Sequence, residues 1–193
     1  VSRIMNSDGK QTATAQMTEN SISYAILDDR DVAVIRVIGK GNFVNSVPLK
    51  SFAQRVHTDY QSADMIIDLD ECETMDSTFM GVLASISMTQ IRSGHRKLVL
   101  SNTNPQCTKL LKTLGIANLL ELHECSSHSA EACDHIQEAE NQMEAMPTEK
   151  ISHVDQICHT LEAHRTLVKA DGENEVRFQS VIHYLEKSLE EES

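Results

Sequence analysis

An α/β domain, with helices packed on a sheet of four to five strands and a helical extension behind it, is the fold class the sequence predicts. Three observations lead there. Between residues 20 and 124, short runs rich in β-formers alternate with runs of helical period, at the spacing of strand–helix units. Beyond 124 the β-formers become scarce and the apolar period is helical throughout. The length of 193 residues is enough to bury one core of common size and to carry an addition.

Residues 1–19 are polar and without period, so a mobile tail or the remnant of a tag is expected there. The runs 22–27 and 32–38 flank the Asp28-Asp29-Arg30-Asp31 turn and suit a hairpin. Gly39-Lys-Gly-Asn then links to a helix that starts near 45–48, with Pro48 in its first turn and Leu49, Phe52, Ala53 and Val56 on one face. The apolar run 65–69 predicts a buried strand. After it, Phe79, Val82, Leu83 and Ile86 recur at helical spacing, with Asp76 or Ser77 as N-cap and Gly94 as the stop of a helix over 77–93. A strand at 97–100 follows. Asn104-Pro105 opens another helix, Gly115 ends it, and 118–122 makes the last strand. The expected organisation is a tail (1–19), the α/β domain (20–124), one helix (125–146) and a helical hairpin (147–193).

In the extension, Ala132, Ile136, Ala139 and Met143 follow helical spacing up to Pro147, and Thr148 is the expected cap of the next helix. Ile151, Val154, Cys158, Leu161 and Val168 form a stripe. Asp171-Gly172 is the turn, and Phe178, Val181, Ile182, Leu185 and Leu189 form a second stripe. Two short amphipathic helices need tertiary burial. They are expected to pack on the domain or to serve as a homodimer or docking surface, with self-association favoured.

Composition narrows the function. A formal net charge of -12 and a pI near 5.1 repel nucleic acid and anionic membranes, and with no Trp and 4% aromatic residues there is little to stack on bases. The expected partners are therefore proteins. Five cysteines without a Cys-x-x-Cys pair suggest reduced thiols and a cytoplasmic location, and no run has the length of a signal peptide or a membrane span.

The chemistry is concentrated where strand gives way to helix. A hydroxyl in the first turn of a helix faces unpaired N–H groups and the positive end of the dipole, which favours a phosphate. Ser77 has that position, although from the pattern alone plain capping by Asp76 and Ser77 is the favoured reading, since that is the commonest role of such residues.

The segment Asp68-Leu-Asp-Glu-Cys-Glu-Thr-Met-Asp-Ser-Thr-Phe-Met-Gly-Val-Leu resembles the signature of STAS domains, the family of bacterial anti-sigma factor antagonists. Gly94-His-Arg-Lys-Leu-Val-Leu-Ser and Pro105-Gln-Cys-Thr-Lys-Leu-Leu-Lys-Thr-Leu-Gly-Ile continue the resemblance through the next strand and helix. It covers about residues 20–124. The resemblance implies a phosphorylation switch, in which a kinase that is also an anti-sigma factor modifies Ser77 and a metal-dependent phosphatase reverses it. It also implies a partner surface of Asp70, Asp76, Ser77, Thr78, Phe79 and Gly81. Phe79 departs from the family pattern, which has glycine after its paired serines. A structural STAS module, in a stressosome-like scaffold or a lipid-transport complex, is the alternative.

Other constellations are weaker. Cys125, His128, Cys133 and His135 are zinc-type ligands at no common zinc spacing, so no metal is expected. His153, His159 and His164 read as solvated helix residues. Asp68, Asp70, Glu71, Glu73 and Asp76 could hold Mg2+, but loop shaping and an electronegative surface are the expectation. Ser77 lacks the Gly-x-Ser-x-Gly elbow and has no histidine near it in sequence, and no phosphate loop occurs, so neither catalysis nor a cofactor is expected.

Overall fold

The computed structural model describes residues 20–29, 31–60, 64–123, 131–148 and 150–192. The tail expected over 1–19 lies outside them, as do Cys125 and His128.

β1 (Ser21–Leu27) and β2 (Val32–Gly41) form the expected hairpin, antiparallel from the Ser21–Ile38 pair to the Leu27–Val32 pair. β2 is the centre of the sheet. β3 (Asp64–Asp68) pairs parallel to it, followed outward by β5 (Val99–Ser101) and β6 (Glu121–His123). Two short strands bring the sheet to seven: β4 (Cys72–Met75) runs parallel to the end of β2, and β7 (Glu144–Ala145) adds an antiparallel edge to β1. Sequence patterning shows neither. β4 lies in the acidic loop, where only Cys72 and Met75 turn inward, and the two residues of β7 are too few for a period.

The residues of β2 alternate between two layers. Ala33, Ile35 and Val37 face a large core closed by α1 (Phe43–Asp59), α2 (Ser77–Arg92) and α3 (Pro105–Thr113), whereas Val32 and Val34 face the short α4 (Glu131–Ala139) through Ala132, Ile136 and Ala139. This is the expected α/β architecture with packed helices. The ends of α2 and α3 fall where their signals stand: Asn104 caps α3 ahead of Pro105, and Gly94 and Gly115 take positive φ, +81° and +66°, just beyond each helix. α1 starts earlier than expected. Asn42 caps it reciprocally with Asn45, so Pro48 lies inside the helix rather than in its first turn, and the Val44 carbonyl has no proline N–H to accept.

The helix expected over 125–146 is broken. α4 stops at Ala139, a 3-10 turn spans Glu140–Gln142, and Met146 is buried in the main core. The hairpin is present as α5 (His153–Ala170) and α6 (Asn174–Glu191), but Ser152, not Thr148, caps α5 through its bond from the Asp155 N–H. α5 lies along α2 of its own chain and sends Leu167 into the main core. Its buried face is Ile157, His159, Leu161, Ala163, His164 and Leu167, whereas Val154 and Cys158 are exposed. The apolar stripe is therefore rotated from the expected one, because two histidines and an alanine belong to the packed side. The turn end of the hairpin is anchored by buried Asn174, whose Nδ2 donates to the Leu114 and Leu167 carbonyls, both at 2.9 Å.

Cys133 is disulfide-bonded, which corrects the expectation of five reduced thiols. Pairing requires Cα atoms within about 7 Å, and sequence spacing does not reveal that. Cys72 and Cys107 are free and buried side by side, and the neighbouring Cys72 sulfur together with burial pushes the Cys107 thiol far up.

Candidate functional site

The start of α2 is fixed by Asp76. One carboxylate oxygen accepts the Phe79 N–H at 2.8 Å, capping the helix, and the other accepts the Phe43 N–H at 2.8 Å, so one side chain aligns the first turns of α2 and α1. The Asp76 N–H donates to the Gly41 carbonyl at 2.9 Å, tying the junction to the end of β2. Asp76 is thus a cap, and Ser77 is the first residue of the helix proper with its hydroxyl free for another partner.

That partner is His164. Ser77 Oγ lies 3.0 Å from His164 Nε2, and His164 Nδ1 lies 2.8 Å from the Thr160 carbonyl. A carbonyl only accepts, so Nδ1 carries the proton and Nε2 accepts from the Ser77 hydroxyl. One turn earlier, His159 Nε2 approaches Ser46 Oγ at 2.8 Å, and Ser46 donates to the Phe43 carbonyl at 2.7 Å, so here the imidazole is the donor. Edge-on contacts to Phe178 and Phe43 hold the two rings, with centroids 4.8 Å and 5.7 Å away. Both histidines are buried, which corrects their assignment as solvated helix residues. Periodicity missed them because an imidazole on an otherwise polar turn gives no apolar signal, and its serine partners are 87 and 113 residues distant.

The expected site residues separate into three groups. Asp70 and Asp76 are exposed, Ser77 is half-buried, and Thr78, Phe79 and Gly81 are buried. The Phe79 ring points into the core against Gly41 and Met75, on the apolar face its helical spacing predicts. Gly81 faces α5 so closely that a Cβ there would lie 2.5 Å from the Ala163 carbonyl oxygen. Within the acidic group, Asp68 is buried and accepts from Arg36 Nε at 3.0 Å, Asn102 Nδ2 at 3.1 Å and the Asp70 N–H at 3.2 Å, whereas Asp70, Glu71, Glu73 and Asp76 are exposed. No group of three or more His, Cys, Asp or Glu side chains among the described residues is placed to hold a metal ion. No helix among them is long and apolar enough to cross a membrane.

Burial, and next the charge of Lys50, lower the His159 pKa from its ordinary 6.5, with Glu162 and Asp76 opposing. The unfolded chain therefore binds this proton more readily than the folded one. The stability His159 contributes is fully present above pH 6.5 and is lost as pH falls through 6.5 toward the lower folded value. Urea melts at pH 7.5 and 5.5 are expected to show lower stability at the acid pH, and His159→Gln is expected to flatten the difference.

Comparison with known proteins places these features in a family. The STAS domain family model matches residues 24–132, more than half of the chain. The chain belongs to the STAS domain family. Its structure is similar to that of the anti-sigma factor antagonist SpoIIAA in its unphosphorylated form, at 16% identity over 61% of this chain and 97% of that one, with a TM-score of 0.48. It is similar as well to SpoIIAA of Bacillus in the phosphorylated form (16% identity, 60% and 99% coverage, TM-score 0.47). A third similar structure is an anti-sigma factor antagonist from Mycobacterium paratuberculosis (19% identity, 61% and 95% coverage, TM-score 0.47). The comparison with curated proteins gives no match.

Proposed function

We propose that the chain is a phosphorylation-switched regulator of the anti-sigma factor antagonist type, a binding protein rather than a catalyst, acting in the cytoplasm. The observation that carries this reading is Ser77 at the first position of α2, directly after the capping Asp76, inside a STAS domain. In the unmodified form the surface of Asp70, Asp76, Ser77, Thr78, Phe79 and Gly81 binds a serine kinase that is also an anti-sigma factor, and a sigma factor is released. Asp70 and Asp76 are its exposed contacts, the buried Thr78 and Phe79 shape it from beneath, and Gly81 lies against α5. The kinase then transfers the γ-phosphoryl group of ATP: the Oγ–H bond of Ser77 is replaced by Oγ–P, ADP leaves, and the proton passes to solvent or base. The new charge lies beside Asp76 and near the exposed Asp70, Glu71 and Glu73, so the modified surface repels an acidic or nucleotide-bearing partner. A metal-dependent phosphatase resets it by hydrolysis.

Intact-mass and phosphosite mapping of protein from its native cells tests this reading. A single phosphate at Ser77, absent in Ser77→Ala, is the expected result, with partner affinity at least tenfold lower for Ser77→Asp. No phosphate under any growth condition overturns it.

The cover of α5 over Ser77 favours a second reading, a structural STAS module in a stressosome-like scaffold or a lipid-transport complex. Ser77 then only packs its helix, and the outer face of α6, with Val181 and Tyr184 exposed, serves for assembly or a homodimer. Assemblies that persist whatever the state of Ser77 are its signature.

A further inference from the structure

Part of the surface proposed for a partner, at Ser77 and Gly81, is already covered by α5. α5 crosses the first turns of α2, where Ala163 packs on Gly81 and His164 bonds Ser77, and reaches α1, where His159 bonds Ser46 and Glu162 pairs with Lys50 at 2.6 Å. These four contacts define what the face accepts. It takes a helix with a small residue over Gly81, imidazoles over two serine hydroxyls, and a carboxylate over the lysine of α1. The close crossing at Gly81 leaves no layer of side chains or water between the two helices.

Resting on the regulatory reading above, we propose that the α5–α6 hairpin is an intramolecular cap that competes with an external protein helix for the Ser77 face, and that a phosphoryl group on Ser77 expels it. In the closed arrangement the position of that group along the Ser77–His164 bond is taken. Ser77 Oγ and His164 Nε2 are in hydrogen-bond contact at 3.0 Å, so a phosphorus and its oxygens cannot enter between them while Ala163 remains seated on Gly81. The hydroxyl proton that His164 accepts is also lost on modification, so the bond that closes the cap is removed by the same event. Asp76, the cap directly before Ser77, adds a second negative charge next to the phosphate. Lys50 from α1, beside His159, is already paired with Glu162 from α5.

The inference is tested on the full chain by hydrogen–deuterium exchange, comparing the unmodified protein with protein carrying phosphoserine at position 77, installed during translation. The amides of α5 are expected to exchange at least tenfold faster in the phosphoserine protein, while those of β2 and β3 keep their protection. Ala163→Leu wedges the crossing from the α5 side and leaves α2 untouched; it is expected to produce the same local release without phosphate. Glu162→Lys, exposed and unable to pair with Lys50, gives a milder release if the wedge prevents folding. Unchanged α5 protection in the phosphoserine protein overturns the cap, as does a loss of protection spread evenly over the sheet. Phosphate at Ser77 in cells is decided separately by mass mapping, so failure of the cap and failure of the switch are distinguishable.

Discussion

Phe79→Ala is expected to lower the stability of the chain by about 3–5 kcal/mol, the range for removing a fully buried aromatic ring from a packed core. The ring is 0% exposed and lies beneath the helix start that carries Ser77. Its position is made possible by Gly41 at the end of β2, where a Cβ would fall 2.8 Å from Phe79 Cδ1 and 3.1 Å from Met75 Cγ. Ring and glycine form a complementary pair. Gly41→Ala should therefore cost about 1–3 kcal/mol by overpacking, whereas in a Phe79→Leu background the same methyl group should cost clearly less. Urea denaturation of the two single variants and the double variant measures the coupling. Additive effects would show that the ring and Gly41 do not share one packing solution. Partner binding is expected to change in Phe79→Ala only to the extent that the first turn of α2 loosens, since the ring makes no surface of its own.

The sequence made this junction visible but not its depth. Asp76, Ser77 and Gly94 bracket α2 correctly because capping is local chemistry, readable from residue type and spacing. The same holds for Asn104-Pro105 and Gly115 around α3, and for the Asp171-Gly172 turn between α5 and α6. What the residues could not reveal is set by pairs distant in the chain. Phe79 reads as part of the apolar face of its helix, but the space its ring takes becomes visible only when Gly41, 38 positions earlier, is placed against it. His159 and His164 read as solvated until Ser46 and Ser77 are placed opposite them. α5 is recognisable as a helix that needs burial, but two of the six residues on its buried face are histidines, so apolar period alone turns the stripe the wrong way and favours self-association. Packing on α2 supplies the burial of α5 within the chain.

Asp68 provides the second large effect, and it connects the sheet to the partner surface. Its carboxylate is 3% exposed at the end of β3, and three donors converge on it: Arg36 from β2, Asn102 just past β5, and the Asp70 N–H at the start of the acidic loop. Asn102 reaches it from a left-handed backbone conformation, with φ at +59°. Removing the acceptor leaves a guanidinium that is only 20% exposed, with Glu140 at 3.9 Å, and takes one hydrogen bond from the Asn102 amide. Asp68→Ala is therefore expected to cost about 3 kcal/mol, most of it the penalty of stranding Arg36 rather than the worth of the ion pair itself. Asp68→Asn keeps the shape and one acceptor oxygen and should lose roughly half as much. Replacing Arg36 and Asp68 together by leucine should recover part of the loss, because the stranded charge is then gone. Chemical denaturation of the three variants separates these terms. If Asp68→Ala and the double leucine variant are equally unstable, the cost lies in the hydrogen bonds to Asn102 and Asp70 instead. The acidic loop would then owe its conformation to Asp68, and the exposed carboxylates beside Ser77 would be positioned by a residue no partner touches.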